Sequence, residues 1–300
     1  MRRVRGIRAI ISGIVMPLVT LVLVMWAAST ARAVPPAHAG PAGPIHVPLF
    51  VDPSCVHPTP RFRFTFDTPG ALARLRQEER LDALVAGAPD DLTRCARLMR
   101  WTRAQWEPGR PDPYPPLDAR IILRDIRRGF TGGFCAQYSY VLAQALQSLG
   151  LPARYVSLAG HEVIEAWLRE PARWVCFDPL YDTWYADESG RPLSAYEIHR
   201  RVLEDQPVVP SSSRLVDGME ARCRAFARVS FWLKNDHVGS PVNFGDLERY
   251  KAYLLDDSGA AALTPPGALA TTEPADLYPE TVDNPASPHI FCRDAYHTQG

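Results

Sequence analysis

Three side chains of the types that activate a nucleophile stand in order along this chain: Cys135, His161 and Asp178, spaced by 26 and 17 residues. A thiol needs a base to become a thiolate, and imidazole titrates near neutrality. A carboxylate can fix the imidazole tautomer and stabilise its charged form. Cys135 sits in the stretch GGFCAQYSYVLAQALQSLG, residues 132–150. Tyr138, Leu142, Ala145 and Leu149 follow it at near-helical spacing, which predicts an amphipathic helix with the thiol on its inward stripe. Gly150 and then Leu151-Pro152 end that helix. Helix N-termini present unpaired N–H groups and a partial positive charge, and so favour a thiolate. A structural thiol would normally stand in the middle of such a stripe.

The elements that must position the other two groups follow directly. Residues 153–158, 161–168 and 173–178 read as strands, rich in Val, Ile, Tyr, Phe and Trp, with Gly160 and Glu170-Pro171 as breaks. His161 opens the second strand and Asp178 closes the third, just before Pro179. The three groups are therefore expected to converge at one edge of a helix–sheet packing. Asp182, four residues on, is a rival to Asp178. Glu165 shares a strand face with His161 by the period of two and is expected to pair with an arginine.

GGFC with its helix, HEVIEAW and WVCFDPLYDTWY, taken together in this order, resemble the transglutaminase-like superfamily of cysteine enzymes over about residues 90–200. The resemblance implies an α+β fold with a papain-like core, the nucleophile helix packed on an antiparallel sheet. It implies Cys135 as nucleophile, His161 as general base and Asp178 as the orienting group. The chemistry implied is cleavage or transfer at an amide bond through a thioester, on a peptide, protein or other amide substrate, with no cofactor. The Cys–His gap is short beside that of the large crosslinking members and looks closer to compact bacterial peptidases or amidases; hydrolysis is favoured because the sequence offers no visible lysine-acceptor site. An arylamine N-acetyltransferase-like acyl transferase and a catalytically silent binding module are the alternatives. An acyl-transfer thiol also needs donors for the developing oxyanion. The backbone N–H of Cys135 is one. The preceding helix, expected over residues 91–106 with Asp90 or Asp91 as its cap, offers Gln105 and Trp106, with Trp101 in reserve; the alternative is that the tryptophans are core.

Composition sets the surroundings. Arg2, Arg3, Arg5 and Arg8 precede an apolar run at 9–28, and Ala31-Arg32-Ala33 is a small-x-small site, so residues 1–33 read as an export signal or a signal anchor. Five of the 33 basic residues lie in that leader, which leaves 28 against 33 acids. A mildly acidic domain without charge blocks excludes nucleic acid as an expected partner, and the membrane is met only through the leader. All but two of the basic residues, Lys234 and Lys251, are arginines. The six cysteines show no CxxC pair and no zinc spacing, so no metal is expected. Apart from Cys135 they could form at most two disulfides, with Cys55, Cys223 and Cys292 better placed than Cys95 or Cys176. Residues 34–48 form a Pro/Ala/Gly linker, 49–210 the catalytic core, and 211–300 an extension packed on it. Within these, residues 61–66 and 228–233 read as strands, and residues 71–86, 118–128 and 194–203 as helices. Cleavage after Ala33 predicts a mature protein that begins at Val34. N-terminal sequencing from the native host checks this, and a Met1 or Arg2 start in the membrane fraction would indicate an anchor instead.

Overall fold

A computed structural model describes residues 62, 64–212, 223–242, 244–255 and 268–278. The leader, the 34–48 linker, Cys55 and Cys292 lie outside the described residues. Along the chain these are strand β1 (Thr65–Phe66), helices α1 (Ala73–Glu78), α2 (Leu81–Val85), α3 (Asp91–Arg103), α4 (Ala119–Arg127) and α5 (Cys135–Ser148), strands β2 (Ala153–Leu158), β3 (His161–Leu168), β4 (Arg173–Asp178) and β5 (Thr183–Ala186), helix α6 (Ala195–Leu203), and strands β6 (Val209–Pro210), β7 (Val229–Trp232), β8 (Lys234–Asn235), β9 (Lys251–Leu254) and β10 (Leu269–Thr271). No helix among them is long and apolar enough to cross a membrane.

Local chemistry sets most helix starts. The Asp90 carboxylate accepts from the Thr93 N–H at 2.6 Å, and Asp118 accepts from the N–H groups of Arg120 and Ile121. Ser194 and Glu197 exchange both bonds of a capping box at the start of α6. Two expected helices are shorter than their patterns. The stretch 71–86 breaks at Arg80, which has φ +52°. Leu75 and Leu81 would lie roughly 120° apart around one continuous helix; the break lets both be buried. Helix α3 ends at Arg103, so Trp106 stands beyond it. The run expected over residues 61–66 keeps only Thr65 and Phe66 as strand.

Among the described residues the main sheet has the order β10-β9-β7-β2-β3-β4-β5-β6, antiparallel except for the β9–β10 pair. Strand β7 pairs directly with β2, so the sheet continues across residue 210. Strands β1 and β8 form a separate parallel pair.

Helix α5 packs against β2 and β3 on one side and against α1, α3 and α4 on the other. All 14 of its residues are buried, so it is not the amphipathic helix that its stripe predicts. Its polar side chains are absorbed by backbone instead. Gln144 accepts from Ala119 N–H and donates to Leu117 O, while Gln147 accepts from Asp67 N–H and donates to Ala153 O. The opposite sheet face is covered by α6 and by Phe62, Phe64, Val156, Val163, Cys176 and Phe231, among others. Cys95 and Cys176 are buried free thiols, which removes both from any disulfide. Burial pushes both thiols well up from their ordinary range.

Arg154 and Glu165 form an ion pair at 2.6 Å in which both side chains are 0% exposed. Two guanidinium nitrogens of Arg154 donate to one Glu165 oxygen, and a third donates to Leu277 O. The other Glu165 oxygen accepts from Ala195 N–H and the Tyr278 hydroxyl. Phe64, Trp174, Phe231 and Tyr278 lie 4.3–4.7 Å from the guanidinium carbon. Removing one partner would leave the other as an uncompensated buried charge, so Glu165→Ala is expected to cost about 3–5 kcal/mol. Denaturant unfolding of wild type and variant measures this, and a loss under about 1 kcal/mol would show the pair to be dispensable.

Candidate active site

The loop before α5 is built around two glycines. Gly132 N–H donates to Arg110 O and Gly109 N–H donates to Gly133 O, which ties the loop to residues 109–110. A Cβ on Gly132 would collide with the carbonyl of Arg110. One on Gly133 would meet Ile126 Cδ1 at 2.7 Å and Trp106 Nε1 at 2.9 Å. Thr131 Oγ1 donates to Pro113 O at 2.6 Å and holds the neighbouring proline-rich loop. At the helix start Gln137 Oε1 accepts from the Phe134 N–H. These contacts deliver Cys135 as the first residue of α5, 8% exposed, where backbone N–H groups have no partner within the helix.

His161 Nε2 and Asp178 Oδ2 are in direct contact at 2.8 Å, with both side chains buried. The Tyr185 hydroxyl donates to the same carboxylate oxygen at 3.3 Å, and the Tyr181 ring lies 5.9 Å from the imidazole. Asp178 Oδ1 is buried without a hydrogen-bond partner among the described residues. Asp182 stands apart from this contact, 3.8 Å from Arg100 Nε. One turn along α5 from Cys135, Ser139 Oγ donates to the backbone oxygen of Glu162, the residue after His161. That bond anchors the first turns of α5 over the start of β3.

The three side chains offered to an oxyanion have partners within the protein. Trp106 Nε1 donates to Gly133 O at 3.1 Å, and its ring stacks on Tyr138 with centroids 4.1 Å apart. Its N–H is occupied by the glycine loop, so the indole holds the segment that leads into Cys135. Gln105 donates to Trp101 O at 2.8 Å and accepts from Arg127, which draws its amide toward the α4 side. Trp101 packs at the edge of the main core. Sequence reasoning missed Tyr114, Tyr185 and Glu162. Tyr185 lies within a quoted motif, and its strand alternation with residue 183 could have flagged it. Tyr114 sits in a proline-rich stretch whose periodicity gives no signal. It lies within electrostatic reach of Cys135 and Glu162, and burial raises its phenol above the ordinary range.

Residues 78–179 match the family model described as the transglutaminase-like superfamily. This segment is a transglutaminase-like domain. Its span runs from the last residue of α1 through the whole of β4 and the first residue after it, so it holds the glycine loop, α5 and the strands that carry His161 and Asp178. A search of curated proteins found no match. Within the transglutaminase-like domain the loop geometry is testable by itself. Gly132→Ala is expected to destabilise the fold by about 1–3 kcal/mol through the clash with Arg110 O, and to slow alkylation of Cys135 by displacing the start of α5. Parallel unfolding and labelling measurements check both effects, and unchanged values would show the loop to be tolerant.

Proposed function

We propose that the transglutaminase-like domain is a thiol enzyme that cleaves amide bonds by acyl transfer, with Cys135 as nucleophile, His161 as base and Asp178 as the group that orients it. The observation that carries this is the buried His161–Asp178 contact, on a strand whose next residue, Glu162, is bonded by Ser139 one turn into the cysteine helix. Because Nε2 is committed to Asp178, Nδ1 is the nitrogen that exchanges a proton with the thiol.

The thiolate sulfur bonds to the carbonyl carbon, and the oxygen becomes an oxyanion near the first N–H groups of α5. Collapse breaks the C–N bond, and the amine leaves with the proton from His161. Water then attacks the thioester, gives its proton to His161 and releases the acid and the thiol. Phe130 and Phe134, 62% and 39% exposed, bracket the glycine loop and offer an apolar rim to a substrate. Hydrolysis is the default outcome, and the leader-like composition of residues 1–33 supports a reaction outside the cytoplasm.

Iodoacetamide labelling at about pH 7 with peptide mapping tests the assignment. Cys135 is expected to react faster than the cysteines of the denatured chain, and His161→Ala to slow it at least about tenfold. Asp178→Asn should slow labelling less than His161→Ala does. Equal rates in wild type and His161→Ala would remove Cys135 as an activated nucleophile.

A further inference from the structure

Several buried or half-buried carboxylates are paired with arginine, while others are held by backbone N–H groups, histidine or lysine, as Asp67, Asp178 and Asp236 are. Asp91 meets Arg169, Glu165 meets Arg154, and Glu197 meets Arg173, each at 2.6 Å. Glu162 has neither an ion pair nor a backbone N–H donor among the described residues. Its Oε1 accepts one hydroxyl bond, from Ser157 at 2.7 Å, and no cation contacts it among the described residues. Ser157 is itself held by Trp232 Nε1 at 2.7 Å. The nearest ammonium, Lys251, is bonded to Glu248 at 2.6 Å and lies over the Trp232 ring. Glu162 thus has no direct ionic partner among the described residues, and of the cationic groups Lys251 and His161 act on it from a distance.

Its place adjoins the thiol. The backbone of Glu162 anchors α5 through Ser139, one turn from Cys135. Glu162 and Cys135 both act electrostatically on the hydroxyls of Tyr114 and Tyr140, and Glu162 is in electrostatic contact with His161. The residue as a whole is only partly buried.

We propose that Glu162 recognises a cationic amine on the molecule that meets the Cys135 thiol, so that the substrates are amides or amines carrying an ammonium group. This rests on the thiol assignment above. An unpaired carboxylate beside a reactive centre costs stability, and an incoming ammonium relieves that cost while orienting its own molecule. The discrimination is greatest when Glu162 is ionised. Desolvation pushes its carboxyl up to about 7, against the pull of Lys251, the Ser157 hydroxyl and His161, with Glu248 pushing the same way as desolvation. Preference for a cation should therefore grow as pH rises from about 6 to 8.

Three thiosulfonates of one reactive group and different charge test this without knowledge of the substrate: 2-aminoethyl, methyl and 2-sulfonatoethyl methanethiosulfonate. In each, the Cys135 thiolate attacks the sulfenyl sulfur, a mixed disulfide forms and methanesulfinate leaves. The ratio of cationic to neutral labelling at Cys135 cancels the ionisation of the thiol at each pH. Full-length wild type is expected to prefer the cation over the anion by about three- to tenfold after normalisation to the neutral reagent. Glu162→Gln is expected to lose that preference and its rise through pH 7, and Glu162→Asp to keep both in reduced form. A wild-type preference near unity, or one that persists in Glu162→Gln, overturns the proposal. Slow labelling by all three reagents, unaffected by His161→Ala, overturns the thiol assignment and the proposal with it.

Discussion

The buried contact between Arg154 and Glu165 is the constraint on which the placement of the site depends. The two residues stand directly opposite each other across β2 and β3. Strand side chains alternate with a period of two, so a one-residue slip would carry Glu165 to the face packed on α5 and leave Arg154 unpaired in an aromatic cage. No such slip is tolerable. Since His161 lies on the same strand, four residues before Glu165, the ion pair also fixes where the imidazole emerges. The pair then reaches beyond the two strands: Glu165 holds the start of α6 through Ala195, and Arg154 holds the segment at Leu277.

The thiol is positioned by a different means. Glycine backbone fixes the loop before α5, and the Arg103 guanidinium adds bonds to Trp106 O and the Tyr138 hydroxyl. Gly132 and Gly133 let residues 109–110 approach closely enough to hydrogen-bond, and Trp106 closes the arrangement by stacking on Tyr138 and bonding Gly133 O. The Tyr138 hydroxyl returns a bond to Trp106 O, so ring and backbone lock each other. A conformationally free sequence is thereby made rigid from outside, at the one place where a helix terminus must point at the start of a strand.

What was legible in the sequence follows from which interactions are local. Strands β2, β3 and β4 begin and end at the residues their patterns predict, because β-branched and aromatic runs bounded by Gly160 and Glu170-Pro171 carry their own punctuation. Caps at Asp90, Asp118 and Ser194 are equally local, and the α+β class followed from the element order. The burial of α5 on every side was not legible. Its Gln144 and Gln147 read as a polar face, and only the backbone groups brought to them by the start of α4, the residue after β1 and the start of β2 make them interior residues. The role of Trp106 was hidden for a related reason. An indole next to a helix end can serve a substrate or a loop carbonyl, and the choice depends on where Gly133 lies, 27 residues away.

The start of β3 shows how one strand terminus can serve two purposes. His161 and Glu162 are consecutive, so their side chains leave opposite faces of the strand. His161 meets Asp178 across the sheet, a pairing that satisfies the imidazole within the protein. Among the described residues Glu162 hydrogen-bonds a serine hydroxyl alone, which satisfies a fraction of a carboxylate's hydrogen-bonding capacity. The fold therefore supplies an internal counter-charge to the group that must keep one orientation and withholds it from its neighbour. Glu165 sharpens the contrast along the same strand. Three residues beyond Glu162, it leaves the opposite face and is sealed there by Arg154, Ala195 N–H and the Tyr278 hydroxyl. An acid in the middle of a strand cannot be reached from solvent and must find its partners inside. The acid at the strand mouth is only partly buried, so its second partner can come from whatever approaches the thiol.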